Sequence, residues 1–279
     1  MIRWCAYCQR FLGESAPYDR LVVSHGLCGD CHATIEETRG EVSPKIHAIA
    51  EFFRDVLRRS LAGEHIEVDE LIDRSRALGI LPVDLVIGVI QPVLYELGRR
   101  FAAGEVPHTF EREFTRTGAA LMKHLAAERP PLPPSAPRLL LGVSPGNQHQ
   151  LGPLSYAMIL AEEGIAVEPF AATLVSDYLS RLARGDCDAL GLSVALRGQF
   201  EHALAVARAV RLAHPSLFLA LGGCISKDPD VLEKAQSCFD WIADPQTSRD
   251  DARELAAALT ARMQAPLTGP RRSSASNDG

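Results

Sequence analysis

The chain has 279 residues, of which 23% are charged, and a formal net charge of −6 at pH 7. This size fits two domains and a small additional module, and the charge excludes a strongly basic nucleic-acid-binding surface. No apolar run reaches the length of a membrane span, and the first residues lack an apolar signal segment. We therefore expect a cytoplasmic protein with no membrane contact and no direct DNA binding.

The amino-terminal segment, residues 1–40, carries two Cys-x-x-Cys pairs separated by nineteen residues: Cys5, Cys8, Cys28 and Cys31. Four thiolates at this spacing predict a closed, structural zinc site in a zinc-ribbon-like module. So short a segment buries little core, and a metal would supply the missing stability. A redox Cys-x-x-Cys motif is the alternative, but it would need only one pair. The total of seven cysteines argues against a disulfide framework and for a reducing compartment.

Residues 24–31, Ser-His-Gly-Leu-Cys-Gly-Asp-Cys, resemble the end of a small cysteine module that is attached to bacterial signalling proteins. This resemblance implies a regulatory protein.

Residues 41–129 show apolar residues at helical spacing. The pattern predicts a four-helix bundle, with a first helix that begins at Ser43-Pro44 and others at about 68–78, 82–101 and 109–127. Pro92 lies inside the third helix and should kink it. A proline-rich linker, residues 130–137, should be stiff and extended.

Residues 138–264 alternate between short apolar runs and helical patterns, which predicts βαβ units and a parallel, flavodoxin-like (Rossmann-type) sheet. The predicted strands are 139–143, 165–170, 189–194, 217–221 and 240–243. The tail, residues 265–279, is rich in polar residues, proline and glycine, and should be disordered.

The loop after the first of these strands contains His149, at the carboxyl edge of the sheet, where ligands bind in such folds. Asn147, His149 and Gly152 resemble the cobalamin-binding signature Asp-x-His-x-x-Gly. The resemblance implies that His149 ligates cobalt from below and that the neighbouring loop residues contact the cofactor: Asn147, Gln148, Gln150, Leu151 and Gly152. Asn147 accepts a hydrogen bond but carries no charge, so we expect a weaker lower ligand than in the family.

Two later segments support this resemblance. Ser193-Val194-Ala195 is similar to the family's Ser-x-Leu segment, with alanine in place of leucine, and Gly222-Gly223 is similar to its Gly-Gly segment. In the family, these elements line the slot for the dimethylbenzimidazole tail of the corrin. An ordinary flavodoxin-like domain is the alternative interpretation.

The stretch 97–107 resembles the helical cap that precedes many cobalamin domains and covers the upper face of the corrin. Light-sensing regulators carry a tryptophan there and, after nine residues, Glu-His; this chain has Phe101, Glu111 and Arg112. Methyl carriers more often have phenylalanine. His108 is a further candidate for the upper cobalt face. The alternatives are that Phe101 belongs to the bundle core and that Glu111 is a solvated charge.

Three functions therefore compete. The first is a non-catalytic cobalamin-binding sensor or regulator, responsive to light or a ligand, that acts in signalling or transcription regulation. The second is a corrinoid methyl carrier of a methyltransferase system. The third is a haem-binding relative with His149 as axial ligand. The expected cofactors are cobalamin, in its adenosyl, methyl or hydroxo form, and zinc, and the expected partner is a regulatory protein or a second copy of the chain.

Overall fold

The computed structural model describes residues 1–5, 8, 10–14, 23–26, 28–31, 45–145, 150–223, 229–243 and 248–264. The amino-terminal module contains three short strands, β1 (Ile2–Cys5), β2 (Phe11–Glu14) and β3 (Val23–Gly26). β1 lies in the middle, antiparallel to β2 and parallel to β3. Its apolar residues are buried against the helices that follow it in the chain, so the module shares their core.

Four helices follow: α1 (Lys45–Leu61), α2 (Val68–Ala77), α3 (Pro82–Ala102) and α4 (His108–Ala127). The predicted start at Ser43-Pro44 lies outside the described residues. α3 widens into a π-helical turn at Val86–Ile90, directly before Pro92. Because proline cannot donate a backbone hydrogen bond, this part of the helix departs easily from regular α-helical geometry. No single described helix is long and apolar enough to cross a membrane, and the one pair that qualifies jointly, α2 with α3, is bent by 119°.

The second half is the predicted parallel sheet flanked by helices. Its strands are β4 (Arg138–Val143), β5 (Ala166–Phe170), β6 (Ala189–Ser193), β7 (Phe218–Gly222) and β8 (Trp241–Ile242). Its helices are α5 (Leu151–Glu162), α6 (Val175–Leu182), α7 (Phe200–Ala213), α8 (Pro229–Gln236) and α9 (Ser248–Gln264). The strand order β5-β4-β6-β7-β8 is the flavodoxin-like order, whose switch point lies between β4 and β6. The predicted fold class is confirmed.

The helical bundle packs directly on α5. On α3, the Gln91 side chain reaches Ser155 at 2.5 Å, while nearer the amino end of α3, Asp84 pairs with Arg249 of α9 at 2.6 Å. Arg249 also bonds Glu162, at the carboxyl end of α5. These contacts show that α3 runs antiparallel to α5.

α4 runs alongside α5 in the same direction. A Cβ at Gly118 would lie 3.8 Å from Leu151, and Arg129 just beyond α4 donates to the Met158 carbonyl at 2.6 Å. The part of α4 from His108 to Gly118 therefore extends about 15 Å past the start of α5, at 1.5 Å per residue. The end of α3 and the start of α4 thus form an overhang above the carboxyl edge of the sheet. We call this part, residues 96–117, the overhang.

Candidate functional site

The carboxyl ends of three neighbouring strands are held side by side by backbone hydrogen bonds. Ser144, after β4, donates to the Ser193 carbonyl at 3.0 Å, and Val194, after β6, donates to the Gly222 carbonyl at 2.9 Å. Gly223 has a φ of 105°, and a Cβ there would lie 2.2 Å from the Val194 oxygen. Only glycine fits this contact. The structure therefore brings together the predicted slot residues Ser193, Val194, Ala195, Gly222 and Gly223.

The loop that contains Asn147, Gln148 and His149 lies outside the described residues, but both of its flanks are described. Before it, the Ser144 hydroxyl donates to the Gln199 carbonyl at 2.7 Å, and His202 Nδ1 lies 3.2 Å from the Pro145 carbonyl. The loop thus departs from a fixed point at the switch between β4 and β6. His202 and Gln199 had no sequence signal, because they lie about fifty residues from the loop.

After the loop, Gln150, Leu151 and Gly152 lead into α5. The Ser155 hydroxyl lies 2.9 Å from the Leu151 carbonyl and 2.8 Å from the Gly152 carbonyl, and it also contacts the Gln91 amide of α3. The end of the loop is therefore tied to the helical bundle as well as to its own helix. Ser155 and Gln91 are further residues that the sequence did not identify.

Two helical glycines, Gly152 at the start of α5 and Gly98 in α3, have open space around them. A Cβ at Gly152, or at Gly98 in α3, would meet no described atom within 4 Å. Glycine inside a helix costs about 1 kcal/mol relative to alanine, and packing among the described residues does not explain the choice. A ligand that approaches the backbone closely would explain glycine at these two positions.

Phe101, His108 and Glu111 form one cluster on the overhang. The rings of Phe101 and His108 are 5.0 Å apart, and His108 Nε2 lies 3.5 Å from a carboxylate oxygen of Glu111. The Thr115 hydroxyl donates to the other carboxylate oxygen at 2.9 Å. Phe101 is 45% exposed, so the alternative that placed it in the bundle core is wrong. The three predicted residues share one solvent-facing surface.

An apolar cavity of about 140 Å³ opens at the ends of β4 and β5. Its lining includes Val143, Leu154 and Phe170, and the loop-flanking Gln150. It is far too small for a macrocycle, which would instead have to lie in the open space between the sheet edge and the overhang.

The four predicted metal ligands are also brought together. The Sγ atoms of Cys5, Cys8, Cys28 and Cys31 all lie within 4.8 Å of one another. Cys8 and Cys28 are 3.7 Å apart, close to the separation of about 3.8 Å that a tetrahedron with zinc–sulfur bonds of about 2.3 Å requires. The Cys31 amide lies 3.5 Å from Cys28 Sγ. Burial and the neighbouring thiols raise the pKa of Cys31, and a bound divalent cation would favour its thiolate.

Residues 52–126 match the family model described as the B12 binding domain. The match covers the helical bundle from α1 to α4 and includes Phe101, His108 and Glu111. It confirms the resemblance to cobalamin-binding proteins and supports cobalamin binding. No curated protein sequence matches the chain.

Among solved structures, the chain is similar to the monomethylamine corrinoid protein of Methanosarcina barkeri, with a TM-score of 0.58 and 13% identity over 74% of this chain and 96% of that one. For a cobalamin-binding protein of Desulfitobacterium hafniense DCB-2, the TM-score is 0.39 and the identity 16%, over 76% of this chain and 91% of that one. For a chain of the methanol:cobalamin methyltransferase complex of Methanosarcina barkeri, the TM-score is 0.40 and the identity 13%, over 84% of this chain and 93% of that one. The first likeness shows a common fold of bundle and sheet.

Proposed function

We propose that this protein is a cobalamin-dependent regulator that holds the corrin between the overhang and the carboxyl edge of the sheet, with His149 as the lower cobalt ligand. One observation carries the proposal. Within the match to the B12 binding domain, α4 extends about 15 Å past the start of α5, and the Phe101–His108–Glu111 cluster lies on this overhang. The flanks of the His149 loop and the Ser193–Gly223 strand ends lie at the carboxyl edge of the same sheet.

Each group of residues has a distinct task in this arrangement. Ser193 and the Gly222-Gly223 pair line the slot for the nucleotide tail, where small side chains leave room. Phe101 packs on the upper ligand, and His108 and Glu111 bond to polar groups at the upper face. Bound cobalamin supplies a cobalt atom whose upper ligand can be exchanged or lost. The overhang is the part of the chain that would contact this upper ligand and respond to its exchange or loss.

Zinc at the four cysteines is the second part of the proposal. The thiol positions suit a tetrahedral ion, and four protein ligands leave no open position for catalysis. The module packs directly on α3, so it is joined to the helix that forms part of the overhang. This connection favours a regulator, because carrying a group on cobalt needs only the bundle and the sheet.

A corrinoid methyl carrier is the second candidate. Two observations favour it: phenylalanine at position 101, where the resemblance gives tryptophan for light-sensing regulators, and the common fold with a monomethylamine corrinoid protein.

The test begins with absorption spectra of the full chain after incubation in the dark with adenosyl-, methyl- or hydroxocobalamin and removal of unbound cofactor. We expect bound corrin in each case and an altered spectrum in His149→Ala. The matched control is His214→Ala, in the same domain but before β7 at the opposite edge of the sheet. If His149→Ala gives the parental spectrum, the ligand assignment is wrong.

The two functions are separated by a second measurement on the loaded protein. A change in oligomeric state or partner affinity after green light or ligand exchange supports the regulator. Methyl transfer to or from an added methyltransferase, without such a change, supports the carrier. Failure to bind corrin, together with a Soret band after incubation with haem, would overturn both.

A further inference from the structure

The four cysteines divide into a buried pair and a solvent-facing pair. Cys5 and Cys31 are buried, Cys8 is exposed and Cys28 is partly exposed. The solvent-facing pair contains one member of each Cys-x-x-Cys motif, and its Sγ atoms are only 3.7 Å apart. A disulfide needs a separation of about 2.05 Å, so a movement of less than 2 Å joins these two sulfurs. An oxidant from solvent would therefore meet this pair first.

The module is inserted into the helical bundle at a specific point. Trp4, next to Cys5 in β1, is fully buried, and its indole packs against Gly88 in the π-helical turn of α3. A Cβ at Gly88 would lie 2.4 Å from Trp4 Cζ2 and 3.0 Å from Phe11 Cδ2. The Trp4 indole N–H has no hydrogen-bonding partner among the described residues, which adds a desolvation cost to the docked position. Trp4 therefore packs closely against α3, but the indole N–H, unpaired among these residues, makes its docked position less stable than its burial alone would predict.

The same helix makes two of the polar contacts between the bundle and the sheet domain described above. Asp84, four residues before Gly88, pairs with Arg249, and Gln91, three residues after it, contacts Ser155. Ser155 in turn bonds the carbonyls of Leu151 and Gly152, at the end of the His149 loop. A displacement of α3 at Gly88 therefore acts on the site through a continuous series of contacts.

We propose that the four-cysteine centre is a peroxide-sensitive switch that controls the cofactor site through Trp4 and α3. This inference rests on the proposed function, because it takes zinc at the cysteines and cobalamin under the overhang. The Cys8 thiolate attacks one peroxide oxygen, the O–O bond breaks, and a sulfenic acid and hydroxide form. The Cys28 thiolate then attacks Cys8 Sγ and expels a second hydroxide.

The complete reaction consumes two thiolates, one hydrogen peroxide and two protons, and yields one disulfide and two water molecules. The sulfurs lose two electrons, which reduce the peroxide. A bound zinc ion would then have only Cys5 and Cys31 as ligands and would dissociate. Without the metal, only the apolar contacts of Ile2, Trp4 and Phe11 would hold β1 against α3, and this docking would weaken. Trp4 then leaves the π-helical turn, and α3 loosens its hold on Ser155 and Arg249.

The first test uses the full chain with Cys187, Cys224 and Cys238 changed to serine, so that every remaining cysteine belongs to the module. Metal analysis before treatment establishes whether zinc is bound; a zinc-free protein would refute the zinc part of the proposed function. With zinc bound, one equivalent of hydrogen peroxide should release it and give a Cys8–Cys28 disulfide in peptide mapping. Retained zinc, or a disulfide within one Cys-x-x-Cys motif, would overturn the switch.

The second test measures the coupling to the site. In a Trp241→Phe background, Trp4 is the only tryptophan, and its emission in cobalamin-free protein should shift to longer wavelength on oxidation. Oxidation should raise the equilibrium dissociation constant of hydroxocobalamin by about 5- to 150-fold, the usual range for coupled sites. In Trp4→Phe, which keeps an aromatic ring but fills the contact less, zinc release should persist and the effect on the dissociation constant should shrink. Zinc release with an unchanged emission and dissociation constant would refute the coupling.

Discussion

Gly88→Ala tests the contact between the amino-terminal module and the bundle. The added Cβ would lie 2.4 Å from a carbon of the fully buried Trp4 ring, a distance that real contacts essentially never show. Overpacking of this kind costs about 1–3 kcal/mol, whereas replacing a helical glycine by alanine gains about 1 kcal/mol. The net change should be a loss of up to about 2 kcal/mol in the free energy of unfolding.

Gly98→Ala is the matched control, because it makes the same change in the same helix where the Cβ meets no described atom. It should stabilise the protein by about 1 kcal/mol. The assay is urea unfolding of the zinc-loaded, cobalamin-free chain, followed by far-ultraviolet circular dichroism. In a Trp4→Ala background only the milder contact with Phe11, at 3.0 Å, remains, so most of the difference between Gly88→Ala and Gly98→Ala should disappear. If the two glycine variants behave alike with Trp4 present, or differ by the same amount without it, the docking contact is wrong.

Two further predictions concern the site and the interface below it. In Gly152→Ala, the added Cβ meets no described atom, so the free energy of unfolding of the cobalamin-free protein in urea should stay unchanged or rise by about 1 kcal/mol. Equilibrium binding of hydroxocobalamin should nevertheless weaken. Unchanged affinity would contradict a close approach of the cofactor to this residue. Burial raises the pKa of Asp84 from 3.8 to about 6, against the opposing attraction of Arg249. Because the folded state then binds the proton more tightly than the unfolded state, ionisation destabilises the fold as pH rises from 4 to 6. Urea unfolding at several pH values gives the difference in free energy of unfolding between the parent and Asp84→Asn. The parent should lose about 3 kcal/mol relative to the variant over this interval and stay lower at neutral pH. A constant or rising difference would refute the raised pKa of Asp84.

The fold could be predicted from the sequence because its elements are locally encoded. The apolar runs of β4, β6 and β7 are largely buried strands that alternate with helices, and that alternation predicts a parallel sheet. The three strands of the module were not predicted individually, since each has only four residues and shows no clear alternation.

The site was predictable only where short motifs carry it. Ser193, Gly222 and Gly223 came from such segments, and the structure explains them through the close approach of two strand ends. The contacts that hold the site in place join residues far apart in the chain. Asp84 and Arg249 are 165 residues apart, and Gln91 and Ser155 are 64 apart. Nothing near Gly88 in the sequence indicates that a tryptophan from the amino terminus packs against it.

The Asp84–Arg249 pair shows what kind of interface joins the bundle to the sheet. Asp84 is fully buried, and one of its carboxylate oxygens has no hydrogen-bonding partner among the described residues. A buried ion pair with such a deficit adds little stability over an apolar contact, but removing one partner leaves an uncompensated charge. The pair therefore penalises any other register of α3 on α9 more than it stabilises this one. Trp4 packs against Gly88, four residues after Asp84 in the same helix, so a change in the module would act on an interface that has one preferred register.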